Sequence, residues 1–238
     1  MKLDILAFGA HPDDVEISMG ASLLKYADEG KATGIVDLTQ GELGTRGNAD
    51  LRAEEAKRAA KMLKLQTRSN LNLGDGFFDD SKENKLKIIE LIRLHQPELI
   101  FANSLKDRHP DHGRAAKLVA DSSYLSGLDK IKTTHNGIPQ VKYRPRMVLH
   151  YIQDFYLTPD VIFDVSSHGE RKVDLIKCYS SQFYDPNSKE PNTPISGEEF
   201  FSYLEGRMLS YGRELGVKYG EGFNIDRTLG TSDLFSLK

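Results

Sequence analysis

The chain has a single cysteine, Cys178, which excludes an internal disulfide framework and any zinc knuckle built on several thiolates. Such scarcity suits a reducing compartment. No stretch approaches the roughly 18 apolar residues needed to span a bilayer, so no membrane partner is expected. The opening segment also lacks the marks of a secretion signal. Its short apolar run contains Asp4 and passes directly into His11-Pro12-Asp13-Asp14, with no charged leader and no small-residue cleavage site. These absences together give a cytoplasmic expectation. Nor is there a strong charge of either sign: 32 Lys and Arg are scattered against 35 Asp and Glu, for a formal net charge of -3. That balance offers no electrostatic reason to bind a nucleic acid. Internal repeats and linker-like stretches are missing too, and an α/β chain of 238 residues fits one domain over residues 1–238.

What the chain does contain is alternation. Leu3 to Gly9 is short, nearly continuous in apolar character and stopped by glycine, as a buried strand should be. Val15, Met19, Leu23, Leu24 and Ala27 then recur at helical spacing up to Gly30. The pattern repeats with a strand over Thr33 to Thr39, a helix over Asp50 to Leu65, a short strand at Leu71 to Leu73, a helix from Glu83 to His95, a strand from Leu99 and a helix after Pro110. The alternation predicts an α/β fold: a Rossmann-like open sheet, mostly parallel, with helices on both faces. Beyond Leu125 the pattern becomes more irregular. A loop is expected over Thr133 to Pro145, strands at Met147 to Tyr151 and Val161 to Val165, and helices over Gly169 to Ser181 and Glu198 to Leu215. Asp185 to Gly197, with three prolines, reads as a surface loop, either a lid over a crevice or a solvated connection.

Two clusters carry the chemistry. His11-Pro12-Asp13-Asp14 follows the first strand, and His109-Pro110-Asp111-His112 follows the strand that starts at Leu99. Carboxyl ends of parallel strands face one crevice, so the two clusters are expected to converge there. Pro12 keeps His11 extended, and Asp13 and Asp14 then project in different directions from the next helix. One carboxylate is thus available to a metal and the other to a water molecule. Pro110 suits the first position of a helix, which makes His109 a cap and sets His112 one turn further on. Catalytic zinc typically takes three ligands from His and Asp or Glu and keeps a position for water, whose pKa it lowers towards neutrality. Spacing alone leaves His11, Asp13, Asp14, His109, Asp111 and His112 all eligible. Either cluster by itself is equally at home as a helix N-cap; two at equivalent strand ends point to a site. His95, His135, His150 and His168 have no clustered partners and read as structural.

The paired motifs resemble the LmbE-like, or PIG-L, family of zinc-dependent N-acetylglucosamine deacetylases. Further segments extend the likeness over most of the chain: Gln40-Gly41-Glu42-Leu43-Gly44-Thr45-Arg46-Gly47, Arg52 with Glu55, Ser180-Ser181-Gln182-Phe183, and Gly216-Val217-Lys218-Tyr219-Gly220-Glu221. Together they look like the branch that deacetylates N-acetylglucosaminyl malate in bacillithiol biosynthesis. The resemblance implies that His11, Asp14 and His112 hold zinc and that Asp13 is the general base. It also makes His109 the imidazole facing the reaction centre, kept protonated by Asp111 beside it. Malate carboxylates call for cations. Arg52 and Arg108 are the candidates, since a guanidinium binds carboxylates in bidentate fashion. Without the resemblance, Arg52 reads equally as an exposed helix residue paired with Glu55. Glu42 and Arg46 are candidates for the sugar hydroxyls. A mobile tyrosine expected of some relatives has no clear counterpart, Tyr184 being the nearest to the proline-rich loop. The resemblance further implies a homo-oligomer with a small-molecule amino-sugar substrate.

Rival readings are another N-acetylglucosamine conjugate or a chitooligosaccharide as substrate, a two-metal phosphoesterase, and a non-catalytic sugar-binding module. A dinucleotide site is not among them, because the turn Gly9-Ala10-His11-Pro12-Asp13-Asp14 lacks the glycines that let a pyrophosphate approach. One divalent ion per chain is expected. Zinc is the first choice, and iron, cobalt and manganese accept the same nitrogen and oxygen ligands.

Overall fold

The structure, a computed structural model, describes residues 1–236. Its first half is β1 (Ile5–Gly9), α1 (Asp14–Asp28), β2 (Thr33–Asp37), α2 (Ala49–Met62), β3 (Thr67–Asn70), α3 (Lys82–His95), β4 (Leu99–Ala102) and α4 (Pro110–Leu125). The second half adds a hairpin of β5 (Thr134–His135) and β6 (Ile138–Pro139), then β7 (Met147–Tyr151), β8 (Val161–Asp164), α5 (Gly169–Ile176), α6 (Phe200–Leu215) and β9 (Gly220–Asn224). The described residues form a seven-stranded sheet in the order β3-β2-β1-β4-β7-β9-β8, parallel from β3 to β7, with β9 antiparallel to both of its neighbours.

Strand periodicity divides the interior into two layers, because successive side chains point to opposite faces. Ile5 and Ala7 of β1, with Ile35 of β2, pack under α1, α2 and α5 through Val15, Met19, Leu23, Ala59 and Leu175. Leu6 and Phe8, with Val36 and Ile100, pack under α3 and α4 through Ile88, Ile92, Leu118 and Val119. Burial on both faces explains why β1 and β2 read as continuous apolar runs rather than alternating ones.

Three expectations need correction. The third strand is the polar segment Thr67–Asn70, not Leu71 to Leu73. It is the sheet edge, where Arg68 is anchored by a bidentate contact to Asp37 at 2.8 Å, so ion pairing replaces apolar alternation. The expected loop after Thr133 contains the small hairpin, turned by Asn136 and Gly137 with φ of 49° and 78°, the left-handed pair a two-residue hairpin turn requires. Helix α5 stops at Ile176 rather than Ser181, because the chain turns to place Ser180 and Ser181 on the buried Glu55 carboxylate.

Strand β9, glycine-rich and without β-branched residues, carries no strand signal in its composition. Its glycines serve close packing: a Cβ on Gly222 would lie 2.9 Å from the Tyr211 ring. Gly212 of α6 is constrained in the same way, its Cβ position being 2.5 Å from the Lys218 carbonyl oxygen, whereas a Cβ on Gly206 of the same helix meets nothing within 4 Å. Gly212→Ala should therefore destabilise the fold by about 1–3 kcal/mol through overpacking against backbone. Gly206→Ala should stabilise it by up to about 1 kcal/mol through helix propensity. Denaturant midpoints of the two variants check the opposite signs.

Candidate active site

The ends of β1 and β4 lie side by side where the strand order reverses, and the chain leaving each one enters a crevice of about 750 Å³. After β1, Asp13 precedes α1 with φ 116°, a conformation that costs a non-glycine residue on the order of 1–3 kcal/mol. Arg52 of α2 holds it there. Its Nη2 donates to the Pro12 carbonyl at 2.6 Å and to Asp13 Oδ2 at 3.0 Å, while Nη1 donates to the Gly41 carbonyl at 3.2 Å. The glycine is required at that last contact, because a Cβ on Gly41 would sit 1.9 Å from Arg52 Nη1.

Asp14 is fixed from three sides. Its Oδ2 accepts from the His11 amide at 3.0 Å and from Asn103 Nδ2 at 2.9 Å, and its Oδ1 accepts from Gln153 Nε2 at 3.1 Å. Asn103 follows β4 and also accepts from the Ala10 amide at 2.9 Å, so a single side chain ties the two strand ends together. In the second cluster Pro110 opens α4 and His109 caps it, with Nδ1 accepting the Asp111 amide at 3.3 Å.

The three imidazoles converge. Ring centroids of His11 and His112 are 5.6 Å apart, those of His11 and His109 4.7 Å, and those of His109 and His112 5.2 Å. Asp14 lies between the first pair, with Oδ2 3.6 Å from His11 Nδ1 and Oδ1 3.2 Å from His112 Nε2. A tetrahedral ion with bonds of about 2.0–2.1 Å separates its ligand atoms by roughly 3.4 Å, close to each of these two distances, which run through different oxygens of the Asp14 carboxylate. Donor atoms of His11, His109 and His112, one from each ring, lie within 4.8 Å of one another and could hold a divalent ion.

Electrostatics favour a cation at this point. Burial opposes charge on His11, but hydrogen bonding to Asp111, Asp14 and Asp75 outweighs it and holds the imidazole well above its usual range. For His112 the same opposition by burial is overcome by Asp14 and Asp107, which bring it to about 9. The neighbouring carboxylates diverge. Burial, with the charge of Asp14 adding to it, raises Asp13 to about 7 against the opposing pull of Arg52. Asp14 is also buried, yet His112 and His11 hold it well below the ordinary range. Burial lowers His109, and the two neighbouring imidazoles push the same way.

Of the residues singled out from sequence, His11, Asp13, Asp14, Arg52, Arg108, His109 and His112 line the crevice. Arg52 pairs with Asp13, not with Glu55. Asp111 is completely buried and stands behind His11 rather than holding His109: its Oδ2 is 3.4 Å from His11 Nε2 and accepts from the Gly76 amide at 2.8 Å, and its Oδ1 accepts from Arg114 at 2.6 Å. Glu42 and Arg46 face elsewhere. Glu42 accepts from the amides of Asp75 and Gln40, and Arg46 donates to the Phe183 carbonyl and Ser188 Oγ, anchoring the proline-rich loop. Part of that loop, Pro194 and Ile195, forms crevice wall. Tyr184 is not among the lining residues, whereas Tyr203 of α6, 72% exposed, is.

Sequence reasoning missed Asp75, Asn103, Asp107, Gln153 and Arg207. Asn103 and Gln153 each stand one or two residues beyond a strand of the parallel sheet, the position that identified the two clusters, and that was the available signal. Asp75 was visible only as the middle of the turn Gly74-Asp75-Gly76.

Known proteins resemble this chain in sequence and in fold. The sequence model of the PIG-L family, described as GlcNAc-PI de-N-acetylase, matches residues 6–123, which include both clusters. Diacetylchitobiose deacetylase of Thermococcus kodakarensis is 27% identical over 237 residues, covering 93% of this chain and 82% of the relative. The crystal structure of a conserved protein from Thermus thermophilus superimposes with a TM-score of 0.84 at 30% identity, covering 97% of this chain and 98% of that one. A relative with different chemistry, 4-oxalmesaconate hydratase of Pseudomonas putida, is 26% identical over 193 residues, covering 74% of this chain and 73% of the relative.

Asn103 offers a test of the geometry itself. Truncation to alanine leaves the buried Ala10 amide without an acceptor and Asp14 without one of its donors. Asn103→Ala should cost about 1–3 kcal/mol, the penalty of an unsatisfied buried group, read from the shift of a denaturant midpoint.

Proposed function

From its place in the PIG-L family, to which the chain belongs, and from the crevice geometry, we propose that the protein is a metal-dependent amide hydrolase that removes the acetyl group from an N-acetylglucosaminide. The observation that carries this reading is the division of labour between adjacent carboxylates: Asp14 is enclosed by His11 and His112, and Asp13 stands beside it on Arg52. His11, Asp14 and His112 would hold the ion. A divalent ion there supplies Lewis acidity, which brings the pKa of water towards neutrality and polarises an amide carbonyl.

The chain's own groups supply the proton transfers. Asp13, with a pKa of about 7, suits both halves of an acid–base cycle near neutral pH. Its carboxylate takes the proton from the attacking water as the C–O bond forms, and returns it to the nitrogen as the C–N bond breaks, leaving acetic acid and the amine, which end as acetate and an ammonium group once the acid's proton passes to the amine. His109 is disposed to stabilise the oxyanion. Because its Nδ1 accepts a backbone amide, the neutral ring carries its proton on Nε2, as a donor for the developing charge. That arrangement needs no protonated His109. Arg52 favours the ionised base and orients it, and from the same crevice wall it is also within the space where a substrate would bind.

Within this class we assign N-acetylglucosaminyl malate, the bacillithiol precursor, as the preferred substrate. The support is a pair of cations in the crevice: Arg108 contacts the Asp154 carboxylate through Nε, and Arg207 donates to the Asp154 carbonyl at 2.8 Å. Malate carboxylates are natural replacements for those partners.

The test compares acetate release from N-acetylglucosaminyl malate, diacetylchitobiose and free N-acetylglucosamine, with chelator and with metal restored. The malate conjugate should react fastest, chelation should abolish release, and one divalent ion per chain should restore it. Asp13→Asn should keep the ion and lose about 10²–10⁴-fold in turnover. Arg52→Ala should raise the Asp13 pKa, because a cation that favoured the carboxylate is gone. The acidic limb of kcat/KM, where activity rises with ionisation of Asp13, should therefore move to higher pH. Parent-rate hydrolysis by Asp13→Asn would sink the base assignment. Sugar binding without acetate release from any conjugate would indicate a binding module, and two ions per chain the phosphoesterase reading.

A further inference from the structure

Behind the imidazole of His11, on the side away from Asp14, lies a second set of acidic groups. Asp75 Oδ1 is 2.9 Å from His11 Nε2. The carboxylate is itself held: Asp75 Oδ2 accepts the Leu43 amide at 2.9 Å, and Glu42 Oε1 accepts the Asp75 amide at 2.8 Å. Glu42 is secured in turn by the Gln40 amide at 3.0 Å. The glycine-rich loop after β2 and the Gly74-Asp75-Gly76 turn thus deliver one fixed, buried acceptor to the far nitrogen of one imidazole.

Donor atoms of His11, Asp75 and Asp111 also lie close enough together to suggest a second ion. The hydrogen bonds argue otherwise. Asp75 Oδ2, Asp111 Oδ2 and Asp111 Oδ1 already accept from Leu43, Gly76 and Arg114. A neutral imidazole has one lone-pair nitrogen, so an ion at Nδ1 leaves Nε2 protonated and unable to ligate another.

We propose that Asp75, buttressed by Glu42, is a positioning residue that accepts a hydrogen bond from the Nε2–H of His11 and thereby turns the Nδ1 lone pair towards the ion shared with Asp14 and His112. This rests on the metal-centre reading above. It adds a residue that touches no reacting atom and acts through His11. It also explains why an acidic residue occupies the Gly41-Glu42-Leu43 segment although that side chain does not reach the crevice. Asp111, 3.4 Å from the same nitrogen, supplies charge from behind and is the weaker partner. Outer carboxylates of this kind change metal affinity by about 10–100-fold when removed.

The experiment measures zinc dissociation constants by chelator competition for the parent, Asp75→Ala, Asp75→Asn, Asp111→Asn, Glu42→Gln and His11→Ala, with circular dichroism to confirm folding. Nitrogen-15 spectra of the zinc-loaded parent report which His11 nitrogen binds the ion. Asp75→Ala should weaken zinc binding about 10–100-fold. Asp75→Asn, whose amide oxygen still accepts a hydrogen bond, should recover part of that loss, and Asp111→Asn should weaken binding less than Asp75→Ala. Glu42→Gln should give a smaller loss in the same direction. The spectra should show Nδ1 bound and Nε2 protonated. Parent-like affinity in folded Asp75→Ala, with affinity lost in His11→Ala, would overturn the positioning role alone. Ligation through Nε2 would overturn it as well, and does not require that any Asp75 variant fold. Parent-like affinity in His11→Ala would overturn the metal-centre reading and this proposal with it.

Discussion

The parallel pairing of β1 with β4 is the constraint from which the site follows. Ile5, Leu6 and Ala7 stand opposite Leu99, Ile100 and Phe101, so the two strands end at the same height about 4.8 Å apart. The chain leaving each must then turn into its helix at a shared crevice. Short side chains suffice to meet across it, which is why histidine and aspartate, rather than longer residues, occupy the junction. Asn103 completes the arrangement by hydrogen-bonding the loop from β1 and the Asp14 carboxylate at once.

Concentrating buried carboxylates at one point is costly unless each is paired, and here each has a partner of its own. Asp13 has Arg52, Asp14 has the imidazoles, Asp111 has Arg114, and Asp75 has His11 and a backbone amide. The partners differ, so the carboxylates differ. Asp13, with one guanidinium against full burial, rises to about 7, and Asp14, between two imidazoles, falls well below the ordinary range. Neighbouring groups driven apart in this way are how one site holds both a ligand and a proton acceptor.

Much of this was legible in the chain. Strands buried on both faces announce themselves as unbroken apolar runs, and the helices between them carry a clear period, so β1, β2, β4 and β7 of the parallel part of the sheet were readable almost to their boundaries. So was the convergence of the two His-Pro-Asp clusters, because strand ends in such a sheet have one place to go. What escaped has local physical causes. β3 is an edge strand held by Arg68 ion pairs, and β9 places Gly220 and Gly222 where α6 packs closely, so neither shows alternation. The supporting residues escaped for a different reason. Asp75, Asn103 and Gln153 act through hydrogen bonds whose partners are distant in sequence, and isolated polar residues after strands look like ordinary loop residues. The roles expected of Glu42, Arg46 and Arg52 assumed that polar groups near a crevice face into it. Glu42 and Arg46 instead make their contacts away from the crevice, whereas Arg52 lines it while also holding the loop of Asp13.

The central claim is that one ion sits between His11 Nδ1, Asp14 and His112. Anomalous diffraction at the zinc absorption edge from crystals of the zinc-loaded protein tests it most directly. A single strong peak per chain within about 2.0–2.2 Å of those three side chains is the predicted result. A peak on the other side of the His11 ring, between Asp75 and Asp111, or none near either face of that ring, would contradict the account.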